Sequence, residues 1–165
     1  PIDKITIKEL PDKAGVIRPT FYNHLQDKYE LIEWIIKTEL LEPIKPLLNA
    51  GMIFEAIVLM LNNISANSVF YKKALKLEGA VTFNQIAMKC VCGMFMNIIS
   101  EKSTGKKSKY RWLTPEVIST YYAQSLCFIT EGWIAQGMDD IEPKEMAEAY
   151  MYLITRSMDD ILSEL

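Results

Sequence analysis

Apolar residues recur every three to four positions over most of this chain. Those at 53, 54, 57, 58, 61 and 64 keep the 3.6-residue period of a helix and predict one from Met52 to about Ala66. A longer stripe of Met146, Tyr150, Leu153, Ile154, Met158, Ile161, Leu162 and Leu165 predicts a last helix beginning at Pro143. Capping residues set the other boundaries. Thr82 with Gln85 three residues on is a capping box, opening a helix to about Ser100. Thr114 followed by Pro115 is an N-cap with a first-turn proline, and that helix ends near Gly137. Ser68 to Leu77 is a shorter helix closed by Gly79, and residues 101–111 are a polar, basic loop. Asp27 with Glu30 starts a long helix that reaches about Leu41, where Pro43 and Pro46 break or kink it. Ahead of it lie two short helices. Thr6 and Glu9 form a capping box for the first, which Gly15 closes; the second runs from about Arg18 to Leu25 with Pro19 in its first turn. No strand pattern and no internal repeat is found, so the fold class is all-α.

Composition narrows the possibilities. The 165 residues are half hydrophobic and 24% charged, enough for a sizeable core and too apolar for wholesale disorder. Seven Gly and seven Pro are too few for a turn-dense β-sandwich. The net charge of −3 excludes a uniformly basic nucleic-acid coat and leaves room for a local basic patch. Residues 1–28 hold five Lys/Arg and four Asp/Glu, a balance of +1; the remaining 13 and 17 give −4. A small polar unit therefore precedes a larger apolar one. We place the first over residues 1–42, including the connecting helix, and the second over 46–165. Three cysteines without a disulfide rhythm suit a reducing cytoplasm. No signal peptide or membrane span is expected: the longest apolar run, Ile86 to Ile99, contains Lys89 and Asn97 and is too short.

The informative chemistry lies between Thr6 and Leu31. Two short helices flank Ala14, Gly15, Val16 and Ile17, a helix-turn-helix arrangement in which Gly15 supplies the left-handed turn and Val16 plugs the gap. In the second helix Phe21 and Leu25 share the inner face. Arg18 and Tyr22 share another, and Thr20 and His24 a third flank. Apolar anchors inside with guanidinium, hydroxyl and imidazole groups outside suit a helix presented to a DNA groove.

This segment resembles the DNA-binding unit of the TetR family of bacterial transcriptional regulators. The matching residues are Thr6, Ala14, Gly15, Val16, Thr20, Phe21, Tyr22, His24, Leu25, Lys28 and Leu31. The later chain, from Tyr122 and Ala123 through Gly132, Trp133, Ile134 and Gly137 to Pro143–Ala147, is similar to the last two helices of the family's ligand-binding half. The nearest subgroup includes dihydroxyacetone-kinase activators. The resemblance implies a dimeric regulator of double-stranded, palindromic DNA, with a C-terminal bundle that dimerises and responds to a small-molecule effector or a partner protein. It also implies a further helix ahead of Pro1, packed behind Leu10 and Phe21. By the same resemblance Thr6, Thr20, Tyr22, His24 and Lys28 contact phosphates, which sets affinity without reading sequence. Arg18 is the candidate for guanine O6/N7, a contact worth roughly 1–3 kcal/mol of discrimination, and Pro19 and Asn23 touch the groove. Two residues depart from the family. Pro11 stands inside the first short helix where Ala is usual, and Ile17 stands at the N-cap where Ser or Thr is usual. They keep a second reading open, a TetR-fold interaction protein or co-activator with weakened or lost DNA binding.

Elsewhere the residues favour packing over chemistry. Cys90 and Cys92, two apart on a helix, project about 200° apart and cannot chelate one metal, so inert core thiols are expected. With a single His (His24), no metal site and no cofactor is expected. The helix over 82–100 is apolar almost all round and must be central. Phe83, Met94, Phe95, Tyr121 and Trp133 are candidate walls of a ligand pocket. Lys102, Lys106, Lys107, Lys109 and Arg111 form a solvated basic loop. Gly132, Trp133, Tyr150 and Leu153 on the last two helices suit two-fold self-association. No nucleophile–base pair, phosphate-binding Gly loop or metal cluster supports an enzyme.

Overall fold

A computed structural model describes residues 27–77, 79–103, 105 and 108–165. Every regular element among them is helical, as the apolar periodicity requires. The helix-turn-helix features, from the Thr6 capping box through Gly15 to Leu25, lie outside the described residues.

Helix α1 (Lys28–Ile35) starts where Asp27 places its carboxylate: Oδ1 accepts the N–H groups of Tyr29 at 2.8 Å and Glu30 at 2.9 Å. The expected end near Leu41 is not observed. The backbone widens into a π-helical stretch over Ile36–Leu41 and returns to α-helix as α2 (Glu42–Asn49), through both Pro43 and Pro46. Steric chemistry accounts for the correction. In a regular α-helix the Pro43 ring would press on the carbonyl of Glu39, four residues back. The wider turn, in which the Glu42 N–H donates to the Lys37 carbonyl, moves the backbone out of that register. Ile32, Ile36, Leu40, Leu41, Ile44 and Leu48 then form one buried edge along the combined helix.

After Gly51 (φ +77°) the chain turns into α3 (Ile53–Ala66), which buries Ala56, Ile57, Met60, Leu61 and Ile64. Helix α4 (Ser68–Ala74) drives Tyr71 into the core, edge-on to Phe70 at 5.0 Å and to Phe83 at 6.3 Å. The Thr82–Gln85 capping box opens α5 (Phe83–Lys102), the central helix, which packs against α1, the π stretch and α6. Helix α6 (Pro115–Ala135) begins at Thr114, whose Oγ1 accepts the Val117 N–H at 3.3 Å. Helix α7 (Pro143–Thr155) lies on α3 and closes the bundle.

The last apolar stripe does not form one helix. It breaks at Arg156, and a separate α8 (Met158–Glu164) starts from a capping box of Ser157 with Asp160. That local box competes with helix continuation, because the Ser157 hydroxyl accepts the Asp160 N–H at 3.2 Å. Tyr152 and Arg156 reach across the break to Glu164.

Candidate functional site

Of the residues expected to touch DNA, Lys28 is described; Thr6, Arg18, Pro19, Thr20, Tyr22, Asn23 and His24 lie outside the described residues. Lys28 is the first residue of α1. Its ammonium stands 5.2 Å from the Tyr29 ring centroid, and no carboxylate among the described residues forms an ion pair with it. The Tyr29 hydroxyl sits against Gly79 in the loop between α4 and α5. A Cβ at that glycine would stand 2.6 Å from the hydroxyl oxygen. One turn further along, Glu33 binds Lys37 at 2.6 Å within the helix and Lys89 of α5 at 2.8 Å. Hydrogen bonds from Lys37 and then Lys89 hold the Glu33 carboxyl below its ordinary pKa. The entry helix is thus tied to the bundle at two points.

Behind it lies a cavity of about 40 Å³ with an apolar lining. Ile36, Leu40 and Leu41 of the π stretch form one wall; Phe83 and Val91 of α5 and Cys127 of α6 form others. Thr130 and Glu131 of α6 also border it, through their apolar atoms. Thr130 Oγ1 is buried with no hydrogen-bond partner. Glu131 also borders an open groove of about 600 Å³ on the other side, shared with Asn84, Met88, Gln124, Phe128 and Gly132. Its Oε1 accepts from Asn84 Nδ2 at 2.7 Å, and burial raises its pKa against that hydrogen bond. Neither residue stands out in the sequence as a site residue, although Glu131 is an isolated acid in the apolar latter half of α6.

The five residues expected to wall a pocket are not brought together. Phe83 lines this cavity. Trp133 is buried, its indole Nε1 donating to the Ile141 carbonyl at 2.9 Å and so fixing the turn between α6 and α7. Met94 faces a separate cleft of about 110 Å³ beside α2. Phe95 is half-buried against Tyr122 at 6.3 Å, and Tyr121 is 64% exposed. A single long helix spreads its apolar residues over several neighbours, and their order in sequence does not say which share a space.

Burial pushes the Cys90 thiol up to about 11 and the Cys127 thiol to about 12, which leaves both as inert packing groups. Lys102 departs from the solvated-loop expectation: it is the last residue of α5 and donates to the Leu48 carbonyl at 2.8 Å, satisfying the end of α2. Lys106 and Lys107 lie outside the described residues. The self-association residues also divide. Trp133 and Tyr150 are buried within the chain, Tyr150 pairing with Ser125 Oγ at 3.1 Å. Gly132 and Leu153 are exposed. The outer stripe of α6 instead carries Tyr121, Gln124, Phe128, Gly132 and Ala135, with Phe128 77% exposed. No single helix among the described residues is long and apolar enough to cross a membrane.

The family model for the transcriptional regulator C-terminal region of TetR proteins matches residues 52–156. The chain belongs to the TetR family of transcriptional regulators. The HTH-type dhaKLM operon transcriptional activator DhaS of Lactococcus lactis subsp. lactis (strain IL1403) is 26% identical over 136 residues, spanning 81% of this chain and 71% of the relative. In this TetR regulator the matched region contains α3 to α7. The tied entry helix and its π stretch precede it in the chain.

Proposed function

We propose that this regulator is a cytoplasmic homodimer that binds a palindromic operator, with affinity set by a ligand or partner at the C-terminal unit. In this reading residues 1–42 contact DNA, through Thr6, Arg18, Pro19, Thr20, Tyr22, Asn23, His24 and Lys28. Residues 46–165 regulate and dimerise, and the chain is not an enzyme. The outer stripe of α6, with Phe128 and Tyr121 exposed, favours self-association. The two half-sites lie about one helical turn or more apart.

The observation that carries this reading is the position of the π stretch. Ile36, Leu40 and Leu41 wall the cavity, and the same continuous helix begins at Lys28. π-helical turns are rare and occur mostly as single turns at functional sites. A ligand in the cavity that prefers one conformation of this stretch shifts the spacing of the two DNA-binding units. Converting a 1:99 population to 99:1 requires about 5.5 kcal/mol of differential binding, and a smaller preference gives a partial switch. Likeness to a transcriptional activator favours activation as the sign of control.

The test is a gel shift against operator DNA across a salt series. Alanine at Tyr22 or Lys28 weakens binding to every sequence, and at Lys28, which carries the positive charge, it also lowers the salt slope by about one. Unchanged affinity in both variants removes these site assignments. Pro11 and Ile17 favour the second reading, a TetR-fold co-activator without DNA affinity of its own. That protein shows no salt-dependent shift on any upstream palindrome.

A further inference from the structure

Helix α8 is formed but buries nothing. Met158, Ile161, Leu162 and Leu165 recur at the i, i+3, i+4, i+7 spacing of one helical face. None of them is buried, and Met158, Leu162 and Leu165 are exposed. Seven residues are too few to hold a helix in water by propensity. The Ser157–Asp160 capping box and the ties from Tyr152 and Arg156 to Glu164 keep this one formed. An ordered apolar face beside Asp159 and Asp160 is thus left turned to solvent.

The bundle carries a groove of complementary character. An open space of about 580 Å³ lies between the end of α5 and the start of α6. Ile99, Leu113, Pro115 and Ile118 give it apolar walls, and Tyr110 and Arg111 border it. Lys109 stands 5.6 Å from the Tyr110 ring centroid, and neither Lys109 nor Arg111 forms an ion pair among the described residues. Residues 101–116 hold five Lys/Arg and two Asp/Glu, a balance of +3; residues 156–165 hold one Arg and three Asp/Glu, a balance of −2. Helix and groove also lie at the same end of the bundle. Lys102 reaches the Leu48 carbonyl near the end of α2, so the α5–α6 connection is far from Lys28. Helix α7 runs back along α6 after the turn that Trp133 fixes, and Tyr150 meets Ser125. From that contact α6 leads back about 16 Å to Thr114 and α7 leads on about 9 Å to Arg156, at 1.5 Å per residue, toward the same end.

We propose that α8 of one protomer docks in the α5–α6 groove of a second copy, and reciprocally, so that the C-terminal helices are exchanged across the two-fold axis. Met158 and Leu162 enter between Leu113 and Ile118, as amphipathic helices enter apolar grooves. Asp159 and Asp160 lie toward Arg111 and Lys109. Within one protomer both surfaces stay exposed, with Glu164 holding α8 back on α7. This rests on the homodimer reading above. Two DNA-binding units that face one duplex bring the far ends of their bundles side by side, and two-fold symmetry lets each copy give one helix and take one.

Cross-linking of the full chain tests the exchange, in a Cys92→Ser background where Cys90 and Cys127 are buried. One sample carries Leu113→Cys and another Leu162→Cys, both at exposed positions. After subunit exchange a short bis-maleimide is expected to give, in the mixture and far less in either sample alone, a covalent pair of twice the 18.9 kDa chain. A chain carrying both cysteines is expected to link to a second chain rather than to itself. Arg111→Glu is expected to lower the yield several-fold. Leu162→Gln is expected to weaken the dimer at least tenfold in sedimentation, with the helical circular-dichroism signal retained. Three results overturn the exchange and leave the homodimer standing: a dimeric mixture that links no more than the separate samples, a doubly substituted chain that links only to itself, or a Leu162→Gln dimer as tight as wild type. A wild-type chain that sediments as a monomer overturns both.

Discussion

The side-chain amide of Asn63, on α3, donates to the backbone carbonyl of Glu39 at 3.1 Å. Glu39 lies in the π stretch, and the residue four positions on, whose N–H would serve that carbonyl in an α-helix, is Pro43. A neighbouring helix thus supplies a donor beside the proline that removed one. Asn63→Leu is expected to cost about 1 kcal/mol, the usual net worth of such a bond. In a Pro43→Ala background the cost falls, because alanine restores a backbone donor to the same region. Urea unfolding of the four proteins measures the coupling. Additivity within about 0.3 kcal/mol would show the two residues to be independent.

The Glu33–Lys89 pair ties the entry helix to the central helix and gives the fold a pH-dependent component. The folded-state pKa of Glu33 is depressed, so its contribution is present above the unfolded carboxyl pKa and is lost as pH falls through the folded value. Wild type is expected to exceed Glu33→Gln in stability at neutral pH, and the difference to shrink in the acid range. Both partners reach solvent, so the gap is small and narrows in high salt. Chemical denaturation at a series of pH values reads it directly.

Gly79 holds φ at +141° and lets the Tyr29 hydroxyl approach where a Cβ would collide. Gly79→Ala therefore strains the backbone and displaces Tyr29, at a cost of about 1–3 kcal/mol. Removing the hydroxyl in Tyr29→Phe relieves the collision and leaves the strain. The double variant should fall between wild type and Gly79→Ala on thermal unfolding. A double variant no better than Gly79→Ala would mean that contact with Tyr29 is not what the glycine protects.

Phe128 is the largest apolar side chain on the outer stripe of α6 and is 77% exposed. If two protomers meet on this stripe, Phe128→Glu places like charges across the two-fold axis and dissociates them. Sedimentation should then change from a dimer of the 18.9 kDa chain to a monomer, with the helical circular-dichroism signal retained. A dimer that survives the substitution assembles through another face.

Some of this fold was written locally. Asp27, Thr82 and Thr114 start helices as their side chains predict, because an N-cap satisfies backbone donors two or three residues away and needs nothing distant. The apolar period likewise placed α3. Two of the boundaries that local rules misplaced lie where competing interactions were present. The prolines at 43 and 46 did not end the helix, since a wider turn and an amide from α3 accommodate them. The last stripe did break, since Ser157 and Asp160 offered a new cap.

The cavity was less legible. Phe83 could be nominated from its place on an all-apolar helix, but Thr130 and Glu131 could not be joined to Leu40 and Leu41 from the order of residues. Ninety positions separate those pairs in the chain, and no short-range rule reports which faces meet. Capping chemistry and helical period act over one or two turns, so the order of residues alone was enough to establish an all-α chain, its main helix starts and the family resemblance. Which side chains surround a cavity depends on how those helices pack, and packing is settled among all of them at once.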